Sequence, residues 1–345
     1  MICLIYVSKE LKEEFLSSGQ KNLVLKFDDG TTLENDDIAF ESMSLEQTLS
    51  ESDELRFGKV SSACFKTKIS ASTKRYKNLW FNAFLQAGQH EIQLGRFKVY
   101  TDNMTSDRVY REIVAYDSLF WAVNTDVTEW YNSITFPIKQ SNFRDSLFEY
   151  LGIEQERVNL PNDDIEFYQT LDVEKITGLT VLQALCEINA TWGVINNTGQ
   201  FKYARIRKNN KRALYPSNEL HPNDELYPSD ISSDIYSYGL LYPKNDLYPS
   251  ENLYPGTIYE DKLTKSDYYQ GSLKYEEYDT QIIKKITIRE DSEDVGFSYG
   301  KDGNTYVIEG NFLLYGASNE VLENVANLLL LATENPYILI RLEYM

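Results

Sequence analysis

The stretch "LYPSNELHPNDELYPSD" runs from Leu214 to Asp230 and returns as "LYPKNDLYPSENLYPG" from Leu241 to Gly256. It places prolines at 216, 222, 228, 243, 249 and 255, six of the nine in the chain. A period of six is not helical, and proline inside a helix removes a backbone hydrogen bond and clashes with the preceding turn. Tyr215, Tyr227, Tyr242, Tyr248 and Tyr254 each precede a proline, which pushes them into extended geometry. His221 holds the same slot in the second unit. Each unit is therefore an extended Leu-Tyr pair followed by a proline-initiated turn. Three readings fit: a solvated connector, an ordered stack of turns with Leu inward, or an aromatic recognition face built on those five tyrosines. In each, the segment is an insertion on a scaffold that lies to either side.

The scaffold before the insertion changes character once. Residues 1–120 read as strands. "NLVLKFDDGTTLEN" alternates, turns at Asp28-Asp29-Gly30 and returns. In "HEIQLGRFKVYT" the apolar phase shifts after Gly95, the mark of a bulge or sharp bend. The opening "MICLIYVSKELKEEF" reads as a strand leading into a short helix; it lacks the basic start of a signal peptide. Residues 121–205 read as α+β. "SNFRDSLFEYLG" predicts a helix capped at Ser141 or Asn142 and stopped by Gly152. "TGLTVLQALCEINATWG" predicts a second, with a capping box at Thr180 and Gln183 and a stop at Gly193. A hairpin over Asn197-Thr198-Gly199 follows.

After the repeat and connector (206–280), strands resume at 281–345. "VGFSYGKDGNTYVIEGN" predicts a hairpin over Lys301–Asn304. "SNEVLENVANLLLLATEN" predicts a helix whose stripe is Val321, Val325, Leu328 or Leu329, and Ala332. The chain ends on an apolar strand, "PYILIRLEYM", which reads as a segment tied into a sheet and a polypeptide that continues.

No apolar run reaches the roughly 18 residues that span a bilayer. The formal charge of −19 argues against tight nucleic-acid binding, which depends on many Lys and Arg contacts to phosphate. Cys3, Cys64 and Cys186 show no metal spacing and read as buried small hydrophobes. His90 and His221 are too far apart in sequence to form a local pair. The acidic pairs Asp28-Asp29 and Asp163-Asp164 sit at turns, and no phosphate loop, nucleophile elbow or metalloprotease motif is present. No catalytic residue, metal or cofactor is therefore assigned. Trp80, Trp121, Trp130 and Trp192 read as packing residues, with sugar stacking as the alternative.

The order of segments carries more than any one of them. "LEQTLSESDELRFGKVSSACFKTKI" is followed by "IQLGRFKVYTDN", "REIVAYDSLFW", "FRDSLFEYLGI", "LPNDDIEF" and "ITGLTVLQALCEINATWGVINNTGQFKYARI". This succession resembles tail proteins of phages and prophages of Gram-positive bacteria, similar to the baseplate hub or the N-terminal hub region of tail-tip proteins. The resemblance implies a mixed, β-rich α+β fold: two tail-tube-like antiparallel β-barrels, 1–120 and an incomplete one at 281–345, separated by the α+β insertion and the repeat. It further implies a homotrimer in the virion tail that joins the hexameric tube and distal tail proteins to a threefold spike or fibre, with an acidic or neutral lumen for DNA and no reaction to catalyse. The alternative is a carbohydrate- or receptor-binding tail module that uses the Tyr-rich insertion.

Overall fold

The computed structural model describes residues 21–48, 56–88, 90–168, 175–205, 274–275, 282–333 and 340–341. The opening strand and helix expected before residue 16, Cys3, His221 and the whole Leu-Tyr-Pro repeat lie outside the described residues. The chain divides into two units, 1–205 with 282–334 and 206–281 with 335–345.

The described residues of the first unit begin with seven strands: β1 (Lys21–Phe27), β2 (Thr32–Leu33), β3 (Ser44–Glu46), β4 (Cys64–Ser70), β5 (Trp80–Ala87), β6 (His90–Met104) and β7 (Tyr110–Tyr116). They form one antiparallel sheet in the order β2-β1-β5-β6-β7-β4-β3. Alternation builds its inner face. Leu23, Leu25 and Phe27 of β1, Phe65 and Ile69 of β4, and Ile113 and Ala115 of β7 point into one core. Phe65 on β4 and Phe81 on β5 are three strand spacings apart, about 14 Å in a flat sheet. Their ring centroids lie 5.4 Å apart, so the sheet curls until its inner face packs against itself.

Two bulges on β6 help it curl. Ala83 pairs with Gly95 and Phe84 with Gln93, leaving Leu94 as the extra residue, so the phase shift read at Gly95 is a bulge. Gly95 also leaves room for Phe97, whose ring would lie 2.5 Å from a Cβ at that position. The second bulge extrudes Tyr100, because Val99 pairs with Ala115 and Thr101 with Val114.

Among the described residues the expected closed barrel is not formed, and no ladder joins the edge strands β2 and β3. β2 ends after two residues because the chain turns into a 3-10 helix at Asn35–Asp37, and Asn35 Oδ1 accepts the Leu23 N–H at 2.9 Å. The chain then crosses the open side and touches β4, where Ala39 donates to Lys68 O at 2.8 Å beside an Ile38–Ile69 bridge.

Among its described residues the insertion has four helices and two strand pairs: α1 (Ser118–Ala122), α2 (Thr128–Ser133), β8 (Ile138–Lys139), α3 (Gln140–Leu151), β9 (Glu166–Phe167), α4 (Gly178–Ile188), β10 (Trp192–Ile195) and β11 (Phe201–Ala204). α3 stops at Gly152 (φ 66°) as expected, but its N-cap is Lys139, not Ser141 or Asn142. α4 is capped one turn earlier than expected, by Thr177, whose Oγ1 accepts from Thr180 N. It ends at Asn189, and Gly193 lies within β10 instead of stopping the helix. A Cβ on Gly193 would sit 2.6 Å from the Phe201 ring and 2.9 Å from Val60. That close approach lets β10 meet the chain before β4, with Gly193 N donating to Lys59 O at 2.9 Å and Ser61 N to Gly193 O at 3.0 Å. The hairpin over Asn197-Thr198-Gly199 forms, with Asn196 Oδ1 accepting from the N–H groups of Thr198 and Gln200.

Within the second unit, the described residues are β12 (Lys274–Tyr275) and β16 (Ile340–Arg341), an antiparallel pair. The first unit resumes with β13 (Lys285–Arg289), β14 (Phe297–Gly300), β15 (Thr305–Glu309) and α5 (Asn319–Thr333). The sheet order is β14-β13-β15, with β13 antiparallel to β14 and parallel to β15. The expected β14–β15 hairpin is therefore replaced by a crossover. β13 sits between the two strands, and Lys301–Asn304 passes over its start, pinned by Lys301 N to Lys284 O (2.8 Å) and Lys284 N to Asn304 O (2.9 Å). Gly300 permits this, since a Cβ there would lie 2.3 Å from Lys284 O. This three-stranded sheet is no barrel among the described residues. Among the described residues the fold is a sheet-rich α+β arrangement of open sheets.

Candidate interaction surface

The outer face of the curled sheet carries a row set by register. Trp80 pairs with Lys98, Lys98 with Tyr116, Tyr116 with Cys64, and Cys64 with Glu46, across β5, β6, β7, β4 and β3. Directly opposed residues share a face, so these side chains stand side by side. Lys98 Nζ lies 5.8 Å from the Trp80 ring centroid and 4.8 Å from that of Trp121. The Arg96 guanidinium lies 5.4 Å from Trp80 and holds Asp28 at 2.6 Å.

The bulged Tyr100 joins this row from outside, 45% exposed, with Tyr116, Phe120 and Trp121 around it at 5.7, 5.5 and 6.1 Å. Phe120 stacks on Tyr116 at 4.0 Å and 11°. Asp117 sets that stack. Its carboxylate caps α1 through the Leu119 N–H (3.0 Å) and accepts the Ala63 N–H (2.7 Å), fixing the helix against the sheet. Burial pushes the Asp117 carboxyl up to about 7, against three backbone N–H groups that pull it down. The result is a surface of aromatic rings edged by cations.

A buried junction ties the insertion to the second sheet. Asn311, after β15, donates to Ala184 O (3.1 Å) and Glu187 Oε2 (2.9 Å) of α4. The Tyr306 hydroxyl accepts the Phe57 N–H at 3.0 Å, and Trp192 Nε1 donates to Arg56 O at 2.8 Å. Burial pushes the Glu187 carboxyl up to about 7, offset in part by Asn311 and the Arg56 charge.

Of the tryptophans, Trp130 and Trp192 are buried and pack as expected, while Trp80 and Trp121 belong to the outer row. Cys186 is fully buried and its thiol is pushed up to about 12; Cys64 is half-buried, and burial raises its thiol too. Asp28–Gly30 and Asn162–Asp164 form turns, as read from the sequence. Tyr215, Tyr227, Tyr242, Tyr248 and Tyr254, the recognition residues read from the repeat, lie outside the described residues, so the structure brings none of them to a site. Sequence reading missed the ion pair inside the sheet, where Arg111 Nε meets Asp102 Oδ1 at 2.5 Å with each side chain 1% exposed. The signal was available: in "YREIVAY", Arg111 shares the inward phase of Ile113 and Ala115. Among the described residues no helix is long and apolar enough to cross a membrane, and no cluster of three His, Cys, Asp or Glu is placed to hold a metal.

No protein-family model and no curated protein matches the chain. Among solved structures it is similar to the 43 kDa tail protein of prophage MuSo2 from Shewanella oneidensis, at 12% identity over 85% of this chain and 74% of that one, with a TM-score of 0.43. It is also similar to a prophage tail protein from Listeria monocytogenes (10% identity, 88% and 76% covered, TM-score 0.41) and a tail protein from Neisseria meningitidis (8%, 86% and 74%, TM-score 0.39).

Proposed function

We propose that this chain is a structural protein of a phage or prophage tail, and within the tail a baseplate hub or tail-tip component. The observation that supports it best is the order of parts within one chain: a curled antiparallel sheet, an α+β insertion, and a second sheet after residue 282. The resemblance implies that order too, though with closed barrels where the described residues form open sheets. In this reading the protein acts through shape and catalyses nothing. Three copies, each with two sheets, surround a passage for DNA, matching a hexameric tube on one side and a threefold spike or fibre on the other. The chain's excess of acid suits a passage that must release DNA, because a lumen rich in Lys and Arg would retain it. The aromatic and cationic outer row of β5, β6 and β7 offers a surface for neighbouring tail proteins, since exposed aromatic rings and Arg are enriched where proteins meet.

The test is to induce particles from the natural host and locate the protein by immunogold labelling and cryo-electron microscopy, with native mass spectrometry of the purified full chain. The reading expects label at the tube's distal end and a trimer. Absence from purified tails, or label along the shaft alone, refutes it.

A further inference from the structure

An open cleft of about 820 Å³ lies between residues 161–168 and the stretch 316–331, well within the size of small-ligand sites. One wall is the turn through Asp164 and Glu166, ending on Tyr168, whose side is 54% exposed. The other is α5. That helix buries Val325, Ala326, Leu329 and Thr333 toward its own unit. Val321, Asn324, Leu328 and Leu331 recur at a different helical phase and line the cleft, with Asn327 beside them. The sequence stripe had merged these two faces.

The chemistry of the walls narrows the occupant. The half-buried Val321 and Leu328 give an apolar floor. Asn324 and Asn327 interrupt it with carboxamides that both donate and accept, and neither carboxamide is engaged by a described residue. Such interruptions suit neither a helix nor an acyl chain, which need an unbroken apolar stripe. Asp164, Glu166 and Glu320 rim the cleft, and the neighbouring cation Lys139 is held by Asp164 at 2.9 Å, so phosphates and other anions are disfavoured. A neutral ligand matches these walls when it brings hydroxyls to the carboxylate rim, an amide to the two carboxamides, a methyl group to the apolar floor and a flat C–H face to Tyr168. We propose that this cleft binds a glycan through an N-acetylated hexosamine. The pyranose lies on the Tyr168 ring, the acetamide pairs with the Asn324 and Asn327 carboxamides, and the acetyl methyl sits on Val321 and Leu328. The proposal stands apart from the tail-hub reading, because it concerns what this cleft holds wherever the protein resides.

The probe is N,N′-diacetylchitobiose, with cellobiose as the control that lacks only the acetamides, followed by saturation-transfer NMR and calorimetry on the full chain. Saturation is expected at the acetyl methyl. Cellobiose should bind at least about tenfold more weakly, because it brings neither the acetamide hydrogen bonds nor the methyl contact with Val321 and Leu328. Tyr168→Ala and the double change Asn324→Ala/Asn327→Ala should each weaken the chitobiose by about tenfold or more while circular dichroism is unchanged, since these residues are exposed. No transfer to either saccharide, equal binding of both, or full binding by Tyr168→Ala overturns the proposal; the last would move recognition to another part of the chain. A particle-localisation failure leaves this result untouched, and the reverse holds too.

Discussion

Replacing Arg111 by Met tests how the curled sheet tolerates charge in its interior. The side chains of Asp102 and Arg111 are each 1% exposed, and Asp102 Oδ2 also accepts the Tyr76 N–H at 2.7 Å, which holds the chain before β5 over the core. Arg111→Met keeps an unbranched apolar stem but strands a buried carboxylate with one backbone donor. Breaking a buried pair from one side costs about 3–5 kcal/mol. For a unit of this size each kcal/mol lowers Tm by about 2–4 °C, so the variant should melt about 6–20 °C lower. Asp102→Asn leaves the guanidinium stranded and should cost a similar amount. The double variant Asp102→Asn/Arg111→Met removes both charges and keeps an acceptor for Tyr76. It should recover at least about 2 kcal/mol relative to the sum of the single changes, because no uncompensated charge remains. Urea unfolding followed by tryptophan fluorescence is the assay; Trp80 and Trp121 report from the outer face of this sheet. Two single variants within about 1 kcal/mol of the parent, or a double variant as unstable as the sum, would refute the reasoning.

Glu187 should make stability depend on pH. Its folded value of about 7 lies above its ordinary 4.5, so its contribution is full below pH 4.5 and is lost as pH rises to 7, by about 3 kcal/mol at about 1.4 kcal/mol per tenfold change in proton concentration. Asn311, Tyr306 and Arg56 face it across the junction. Glu187→Gln should therefore flatten the difference between urea midpoints at pH 5 and pH 8, leaving the part due to Asp117; an unchanged profile contradicts the assignment. Gly193→Ala should destabilise by about 1–3 kcal/mol through its contact with the Phe201 ring, read as a lower urea midpoint. Tyr100→Ala combined with Lys98→Ala should shift Tm by less than about 4 °C yet reduce incorporation into tails, measured by quantitative immunoblot of purified particles; normal incorporation removes the outer row from the assembly surface.

Local rules read well where the residue's own neighbours decide the outcome. Gly152 stops α3, the Asn197–Gly199 hairpin forms, and the phase shift at Gly95 is a bulge, because each depends on a few adjacent residues. The helix starts, at Lys139 and Thr177, depart locally from the expected caps, and the larger failures are tertiary. Strand periodicity says which residues face inward, but closure of a sheet depends on how its edges end, and here Asn35 ends β2 after two residues. "VGFSYGKDGNTYVIEGN" has every local mark of a hairpin, yet β13 competes for both strands and takes the middle place. The cleft was illegible for a similar reason. Val321 and Val325 look like one stripe until the sheet beneath α5 selects Val325 and leaves Val321 to the opposite wall.

The first unit is discontinuous: it leaves the scaffold after Arg205 and resumes at Ile282. The ends of the intervening stretch are thus fixed by elements outside it. Asn311 meets Glu187 from 124 positions away, and the Tyr306 hydroxyl meets Phe57 from 249. Contacts so distant in sequence bear their loop-closure entropy before they reward folding, so the arrival of the second sheet is expected to be the slow, late step in assembling the first unit.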